Sequence, residues 1–211
     1  MNNKEVTLFL TACNRPSLLK ITLESFVKYN TYPIKEAIIM EDSGLNGIND
    51  FVSTILPFPY KIIYNERRIG QMKSIENGSK HIKTPYVFHC EEDWEFYNSG
   101  FIEKSLEILE SNDKISVVKL RSYNEYINRY KMSIINTNNT LYNIIHQNNI
   151  SMYTFNPSLR RKEISLYSIP YKDNENEGTL QKKLNLEGYI SVVTKNQEGY
   201  VKHIGWNSHV Y

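Results

Sequence analysis

This 211-residue sequence has little cysteine, no long apolar segment and no excess of one charge. Its two cysteines, Cys13 and Cys90, are too few for a disulfide framework or a cysteine metal motif, and they predict buried structural thiols in a reducing compartment. No stretch approaches the about 18 consecutive apolar residues that indicate a transmembrane helix, and the first residues lack the pattern of a signal peptide. These absences predict a cytoplasmic protein with no transmembrane segment.

Positive and negative charges are nearly balanced. Lys and Arg number 25 against 23 Asp and Glu, which gives a net charge of +2. This balance argues against a strongly basic nucleic-acid-binding protein and against an acidic tail, so we expect no nucleic-acid partner. Tyrosine is abundant, with 16 residues. Tyrosines often contact sugars and bases, although ordinary core and surface packing would use them equally well.

Apolar runs and helical patterns alternate along the first half of the chain. Predicted strands cover residues 6–12, 37–40, 61–64, 86–90, 115–120 and 190–194. Predicted helices follow Pro16 and cover residues 49–56, 71–82, 101–109 and 179–186. This order predicts a single α/β domain with a mostly parallel central sheet and helices on both faces. Residues 123–149 have no clear pattern and predict irregular or antiparallel structure beside a site.

Three adjacent carboxylates, Glu91, Glu92 and Asp93, follow the fourth predicted strand. The carboxyl ends of parallel strands form the sheet edge at which ligands bind. Adjacent carboxylates repel one another and favour a counter-cation, and Mg²⁺ or Mn²⁺ is commonly held by one or two carboxylates while substrate phosphates complete its shell. The position predicts a divalent metal site, and a solvated acidic turn is the alternative.

Polar residues also follow the first and second predicted strands. Thr11, Ala12 and Asn14 offer small and polar groups that suit a base or a ribose, and Arg15 suits a phosphate. Asp42 can accept a hydrogen bond from a ribose hydroxyl or a base N–H. The alternatives are an ordinary strand end and an ordinary turn.

Five segments follow one another along the chain: LFLTACNRP, IIMEDSG, NERRIGQ, SIENGSKHIKTPYVFHCEEDWEF and FNPSL. In this order and spacing they resemble family-2-type glycosyltransferases with the GT-A fold. The resemblance is close over about residues 5–120 and looser beyond them. It implies a GT-A-type α/β fold, a nucleotide-sugar donor and a divalent cation, Mn²⁺ or Mg²⁺.

The resemblance also implies a role for individual residues. Glu91, Glu92 and Asp93 match the DxD motif, with Asp93 as the expected direct metal ligand and Glu91 beside it. Donor-binding residues are expected at Thr11, Ala12, Asn14, Arg15, Asp42, Gly70, Gln71 and Glu92. The basic residue that the family carries in an Ala-Arg-Asn triplet is replaced here, and Lys73 and Ser74 lie nearby.

A late histidine and a late carboxylate complete the implied site. His203 is the candidate metal ligand, since neutral imidazole can bind a cation, and His209 is a weaker candidate. An inverting transfer needs a carboxylate that takes the proton of the acceptor hydroxyl. Glu177 matches the position before a late helix best, with Glu175 as its rival. Both could instead be helix-start acids that the helix dipole favours.

The combined expectation is a metal-dependent glycosyltransferase that moves a sugar from a nucleotide-diphosphate sugar, foremost a UDP-sugar, to a hydroxyl of a carbohydrate or glycoconjugate acceptor, with inversion. Residues 1–211 are expected to form one domain, with a donor-binding half at 1–120 and an acceptor-binding half at 121–211. Two alternatives remain open: a nucleotidyltransferase, and a non-catalytic carbohydrate- or metal-binding module on the same fold.

Overall fold

Strands and helices alternate along the first half of the chain, as the apolar pattern predicts. The computed structural model describes residues 4–148 and 150–206. In chain order its elements are β1 (Val6–Ala12), α1 (Pro16–Tyr29), β2 (Ile34–Glu41), α2 (Asn49–Ile55), β3 (Tyr60–Tyr64), α3 (Gln71–Ser79), β4 (Tyr86–Glu91), β5 (Trp94–Phe96), α4 (Phe101–Ser111), β6 (Ile115–Lys119), a short π-helix (Glu125–Arg129), β7 (Ser133–Ile135), β8 (Tyr142–Gln147), β9 (Ile150–Ser151), β10 (Ser158–Arg161), α5 (Lys162–Ser165), α6 (Glu177–Leu186), β11 (Ile190–Thr194) and β12 (Val201–His203).

A ten-stranded sheet forms the centre of the fold. Its order is β3–β2–β1–β4–β10–β6–β11–β8–β7, and β9 pairs with β8. The strands β3, β2, β1 and β4 are parallel to one another, and so are β6 and β11. Because β10 runs antiparallel to both β4 and β6, those two strands point the same way. The carboxyl ends of β1, β2, β4 and β6 therefore lie at one edge of the sheet.

Helices cover both faces of this sheet, which explains why its central strands are apolar on both sides. All seven residues of β1 are buried. On one face α1, α2 and α4 pack around a cluster of phenylalanine rings, with Phe26 and Phe88 at a centroid distance of 5.6 Å. On the other face α3, α5 and α6 cover Phe9 and Met40. The sequence prediction of a mostly parallel sheet between two helical layers is confirmed.

Two features of the fold carry no clear signal in the sequence. The strand β10 inserts antiparallel between β4 and β6. A separate two-stranded sheet joins β5 to β12, and its register pairs Trp94 with His203. This small sheet brings a segment from the end of the described chain next to the three acidic residues that follow β4.

The two cysteines differ in their exposure to solvent. Cys90 is fully buried, as expected, but Cys13 is only half-buried at the end of β1, so the prediction of two buried thiols is wrong for Cys13. Within residues 4–148 and 150–206, every helix is too short or too polar to span a bilayer.

Candidate active site

Two cavities open at the sheet edge where β1, β2, β4 and β6 end. The smaller has a volume of about 140 Å³ and the larger a volume of about 400 Å³. Glu91 lines both, so they meet at the end of β4. The edge therefore offers two adjoining compartments rather than a single pocket.

The smaller cavity collects most of the predicted donor-binding residues. Its lining includes Thr11, Ala12, Arg15, Asp42, Gly70, Gln71 and Glu92. Asn14 is not among the lining residues; its backbone N–H donates to the Glu41 carboxylate at 3.0 Å, and its φ of 52° forms the sharp turn after β1. Cys13, Arg68 and Ser74 also line the cavity, and the sequence analysis assigned no donor-binding role to Cys13 or Arg68.

Glu92 and Arg15 form an ion pair that fixes the loop after β1. The Oε1 atom of Glu92 accepts from Arg15 Nε at 2.7 Å and from the backbone N–H of Cys13 at 3.1 Å, and Arg15 Nη2 lies 2.6 Å from it. Arg15 also donates to Asp93 Oδ2 at 2.9 Å. Glu92 is therefore turned toward the loop after β1, while Arg15 bridges two of the three acidic residues.

Asp42 is fully engaged with the segment that leads into α3. Its Oδ1 accepts from Asn65 Nδ2 at 2.8 Å and from the backbone N–H of Ile69 at 2.9 Å, and its Oδ2 accepts from the N–H of Gly70 at 2.8 Å. Asp42 is buried. Its observed role is to hold the loop after β3 against the smaller cavity.

Asp93 and His203 meet at the boundary of the larger cavity. Asp93 Oδ2 lies 3.1 Å from His203 Nε2. Burial raises the pKa of Asp93, but the hydrogen bond from His203 and the charge of Arg15 outweigh it, so the pKa lies below its ordinary value. Gly205 permits this approach, because a Cβ atom there would lie 2.5 Å from Asp93 Oδ2.

The donor set of Asp93 and His203 fits a hard divalent cation. Two ligands at right angles, each about 2.1 Å from an ion, are separated by about 3 Å, which is close to the observed carboxylate–imidazole distance. The Nδ1 atom of His203 is buried without a partner among the described residues. Mg²⁺ and Mn²⁺ commonly take one or two protein ligands and complete the shell with phosphate oxygens. The pair can therefore hold such an ion together with a diphosphate.

Glu91 does not join this pair. Within the described part of the chain, His, Cys, Asp and Glu form no cluster of three that could hold a metal. Glu91 instead accepts from Gln71 Nε2 at 2.5 Å, Trp94 Nε1 at 3.3 Å and Asn156 Nδ2 at 3.4 Å. The structure thus brings Asp93 and His203 together and turns Glu91 toward other partners, and the metal role of all three residues stays a prediction.

Negative charge is nevertheless concentrated around Glu91. Burial, together with the charges of Asp93, Glu177 and Glu92, raises the pKa of Glu91 to about 8. The same carboxylates would be stabilised by a cation placed among them. The electrostatics of the boundary between the two cavities thus favour a bound positive ion.

Glu177 is the late carboxylate that faces the larger cavity. It is the first residue of α6, and the Asn176 side chain caps this helix through a reciprocal bond with Thr179. Glu177 Oε1 accepts from the Thr154 hydroxyl at 3.1 Å and from the backbone N–H of Phe155. These contacts orient its carboxylate at the cavity wall.

Glu175 and Asp173 lie elsewhere. Glu175 is paired with Lys183 and accepts from the backbone N–H of Lys172 at 2.9 Å. The hydrogen bond from Lys183 lowers the pKa of Glu175. Neither Glu175 nor the exposed Asp173 lines the larger cavity, and His209 lies outside the described residues. The structure thus places one of the two candidate bases at the cavity and the other away from it.

The larger cavity contains two basic residues, Arg121 and Lys119, that no sequence motif marks. Arg121 stacks on Trp94 and Tyr130, with its guanidinium carbon 4.3 and 4.7 Å from the ring centroids, and it pairs with Glu125 at 2.5 Å. Lys119 also lines this cavity. The signal that could have identified both is their position at the end of β6, whose carboxyl end shares the ligand-binding edge with β4.

Comparison with known proteins gives a family and a fold. The family model described as Glycosyl transferase family 2 matches residues 7–166. Comparison with the curated protein sequences gives no match. Among solved structures, the mannosyltransferase PcManGT from Pyrobaculum calidifontis, in complex with GDP-Man and Mn²⁺, superposes with a TM-score of 0.72 at 11% identity, covering 97% of this chain and 58% of that one.

Two further structures show the same architecture. TarS of S. aureus in complex with UDP-GlcNAc has a TM-score of 0.67 at 12% identity, and the match covers 98% of this chain and 62% of the TarS chain. GalNAc-T7 with UDP, GalNAc and Mn²⁺ has a TM-score of 0.67 at 14% identity, and the match covers 100% of this chain and 45% of the GalNAc-T7 chain. At these identities the likeness is one of fold, and the chain spans less than two thirds of each of these proteins.

Proposed function

The chain belongs to glycosyl transferase family 2, and we propose that it transfers a sugar from a nucleotide-diphosphate sugar, foremost a UDP-sugar, to an acceptor hydroxyl with inversion. The observation that carries this proposal is a pair of adjoining cavities that share Glu91. One is lined by residues at the ends of β1 and β2, and the other has the late carboxylate Glu177 in its wall. This arrangement suits a donor in one compartment and an acceptor in the other.

The smaller cavity is proposed to hold the nucleotide. Thr11 and Ala12 supply small groups at the end of β1, and Arg15 and Arg68 supply positive charge for the phosphates. Asp42 acts by holding the backbone of Ile69 and Gly70 in place. All residues that line this cavity fall within 11–92, which supports a donor-binding half at 1–120.

The metal is proposed to bind where the two cavities meet. Asp93 and His203 would hold Mn²⁺ or Mg²⁺, and Arg15 would add a second positive charge beside Asp93. When bound, the ion stabilises the negative charge that grows on the departing diphosphate. The structures of PcManGT and GalNAc-T7 contain Mn²⁺, which supports a divalent ion in this fold.

Glu177 is proposed as the general base. Its carboxylate is fixed by the Thr154 hydroxyl and the Phe155 N–H through one oxygen, which leaves the other able to accept the proton of an acceptor hydroxyl in the cavity. That hydroxyl would attack the anomeric carbon as the bond to the diphosphate breaks. Glu175, already paired with Lys183, is not proposed to take part.

A non-catalytic module on the same fold is the competing proposal, and it would need no general base at Glu177. The family membership favours glycosyl transfer over nucleotidyl transfer. The deciding experiment measures nucleotide release from UDP-, GDP- and dTDP-sugars with Mn²⁺, with Mg²⁺ and with EDTA, for the wild type and for Asp93→Asn. The control is Asp50→Asn, an exposed residue of α2.

The proposal predicts metal-dependent release of one nucleotide class by the wild type and by Asp50→Asn, and its loss in Asp93→Asn although that variant still unfolds cooperatively. Binding of a nucleotide sugar without any release would favour the non-catalytic module. Full release by Asp93→Asn would remove Asp93 from the metal site.

A further inference from the structure

A lysine with no hydrogen-bond acceptor among the described residues lines the larger cavity. Lys119 ends β6, lines the cavity and is only 4% exposed. Among the described residues no atom accepts a hydrogen bond from its ammonium group, and its one aromatic contact, to Tyr126, is long at 5.8 Å from the ring centroid. Three N–H donors left unpaired in a buried position are costly. A ligand in the cavity can satisfy them.

Buried cations outnumber buried anions around Lys119. Arg121 and Arg160 act on it as like charges, and Glu177 acts on it as the opposite charge. Arg121 already has Glu125 as its carboxylate partner. Arg160 is 1% exposed, has an unpartnered Nε atom, and donates to uncharged oxygens of Tyr153, Thr154 and Ser158.

Among these neighbours, Lys119, Arg121 and Arg160 stand against Glu177 and Glu125, and one positive charge is left over. Burying an uncompensated charge is unfavourable. An anion that enters from solvent would pair with this positive charge and accept hydrogen bonds from the ammonium group of Lys119.

We propose that Lys119 binds an anionic group, a carboxylate or a phosphate, on the acceptor sugar and thereby selects acidic acceptors. This inference rests on the proposed function, in which Glu177 takes the proton of the acceptor hydroxyl. Because the charges of Glu177 and Lys119 interact, that hydroxyl and the anionic group would be close neighbours on the same acceptor. Lys119 lines the larger cavity and not the smaller one, which separates it from the nucleotide.

The test compares the dissociation constants of three probes, D-glucuronate, glucose 6-phosphate and D-glucose, by saturation-transfer NMR. The measurements are made at constant ionic strength and at about pH 6, below the pKa of about 7 that burial gives Lys119. The variants are Lys119→Met and Lys119→Gln. The matched control is Lys182→Met, an exposed lysine of α6.

The wild type and Lys182→Met should bind at least one anionic probe about tenfold more tightly than glucose, and both Lys119 variants should lose that preference. Equal binding of all three probes by the wild type would overturn the proposal, and so would a preference that survives in both Lys119 variants. The same titrations with UDP-glucuronate and UDP-glucose distinguish the other source: a preference confined to the donor pair would move the anion to the transferred sugar and overturn the acceptor assignment.

This readout is separate from turnover. If the protein releases nucleotide from its donor but shows no preference for anionic probes, the Lys119 proposal alone fails. If the preference is present but no nucleotide sugar is bound or cleaved, the proposed function fails instead. A melting temperature of the Lys119 variants at or above that of the wild type shows that they fold.

Discussion

Asp42 is expected to affect nucleotide binding through the loop that it holds. Its carboxylate accepts from two backbone N–H groups, those of Ile69 and Gly70, and from Asn65. Asp42→Ala releases this loop, which borders the smaller cavity, and should weaken binding of a free nucleoside diphosphate by about 1–3 kcal/mol, the scale of a lost charge-assisted hydrogen bond. Calorimetry measures the change. Asp50→Ala is the surface control, and equal affinity of the two variants would remove Asp42 from the site.

Lys119 should give the free energy of unfolding a pH dependence of definite sign. Burial lowers its pKa from 10.5 to about 7. Between these values the unfolded chain binds one proton more than the folded chain, so the contribution of Lys119 to stability rises with pH, by at most about 1.4 kcal/mol per pH unit.

Lys119→Met removes this titration. The variant should exceed the wild type in stability most at about pH 6, and its advantage should shrink as the pH rises toward about 9. Denaturant titrations at several pH values measure the difference, with Lys182→Met as a control that stays level. An advantage of Lys119→Met that grows with pH would contradict a lowered pKa of Lys119.

Single residues of the site were predictable where a motif marked them. Asp93 and Arg15 stand in segments whose order is specific, and Glu177 was chosen by its position before a late helix. The structure places all three at the cavities. Lys119 was missed because a lysine at the end of an apolar strand is also a normal strand end. Its burial depends on Arg160 and Glu177, which lie about 40 and 60 positions further along the sequence, and composition or spacing does not show that proximity.

At the scale of elements, the close approach of α3 to the sheet depends on Gly78. A Cβ atom at this position would lie 2.4 Å from the Phe9 ring and 2.6 Å from Met40 Cγ. Gly78→Ala gains about 1 kcal/mol of helix propensity, but it overpacks a core whose atoms cannot withdraw, at a cost of about 1–3 kcal/mol.

We therefore expect Gly78→Ala to lower the free energy of unfolding, by up to about 2 kcal/mol. Its neighbour Asn77→Ala, at a half-buried position of the same helix, should change stability by less than about 0.5 kcal/mol. Chemical denaturation compares the two. Stabilisation by Gly78→Ala would mean that α3 lies further from β1 and β2 than the structure shows.

Long apolar elements were predictable, and short or polar ones were not. The strands β1 and β11 have the predicted bounds because continuous apolar runs mark them. The strand β10 contains two arginines, and its burial is possible only because Arg160 finds oxygens of Tyr153, Thr154 and Ser158. The strands β5 and β12 have three residues each and pair across more than a hundred positions, so no local pattern predicts them.

At the scale of the whole molecule, the chain order divides the site. Residues before 93 line the smaller cavity, whereas the larger cavity takes most of its lining from residues after 118. Glu91 belongs to both, and β12 brings His203 back beside Asp93. The first half of the chain thus builds the smaller cavity, which is proposed for the donor, and the second half builds most of the larger cavity, which is proposed for the acceptor.

The central claim is that Glu177 performs the chemistry while the donor binds elsewhere. The most direct test compares Glu177→Gln with Glu175→Gln, which makes the same change two residues away in a side chain paired with Lys183. Nucleotide release from the preferred nucleotide sugar measures turnover, and calorimetry measures donor affinity.

Glu177→Gln should keep the donor affinity and lose about 10²–10⁴-fold in turnover, the usual contribution of a positioned base, while Glu175→Gln stays active. An active Glu177→Gln beside an inactive Glu175→Gln would contradict the account, because the base would then lie outside the cavity that the structure shows. Normal turnover by both variants would contradict it as well, since the reaction would then need neither carboxylate.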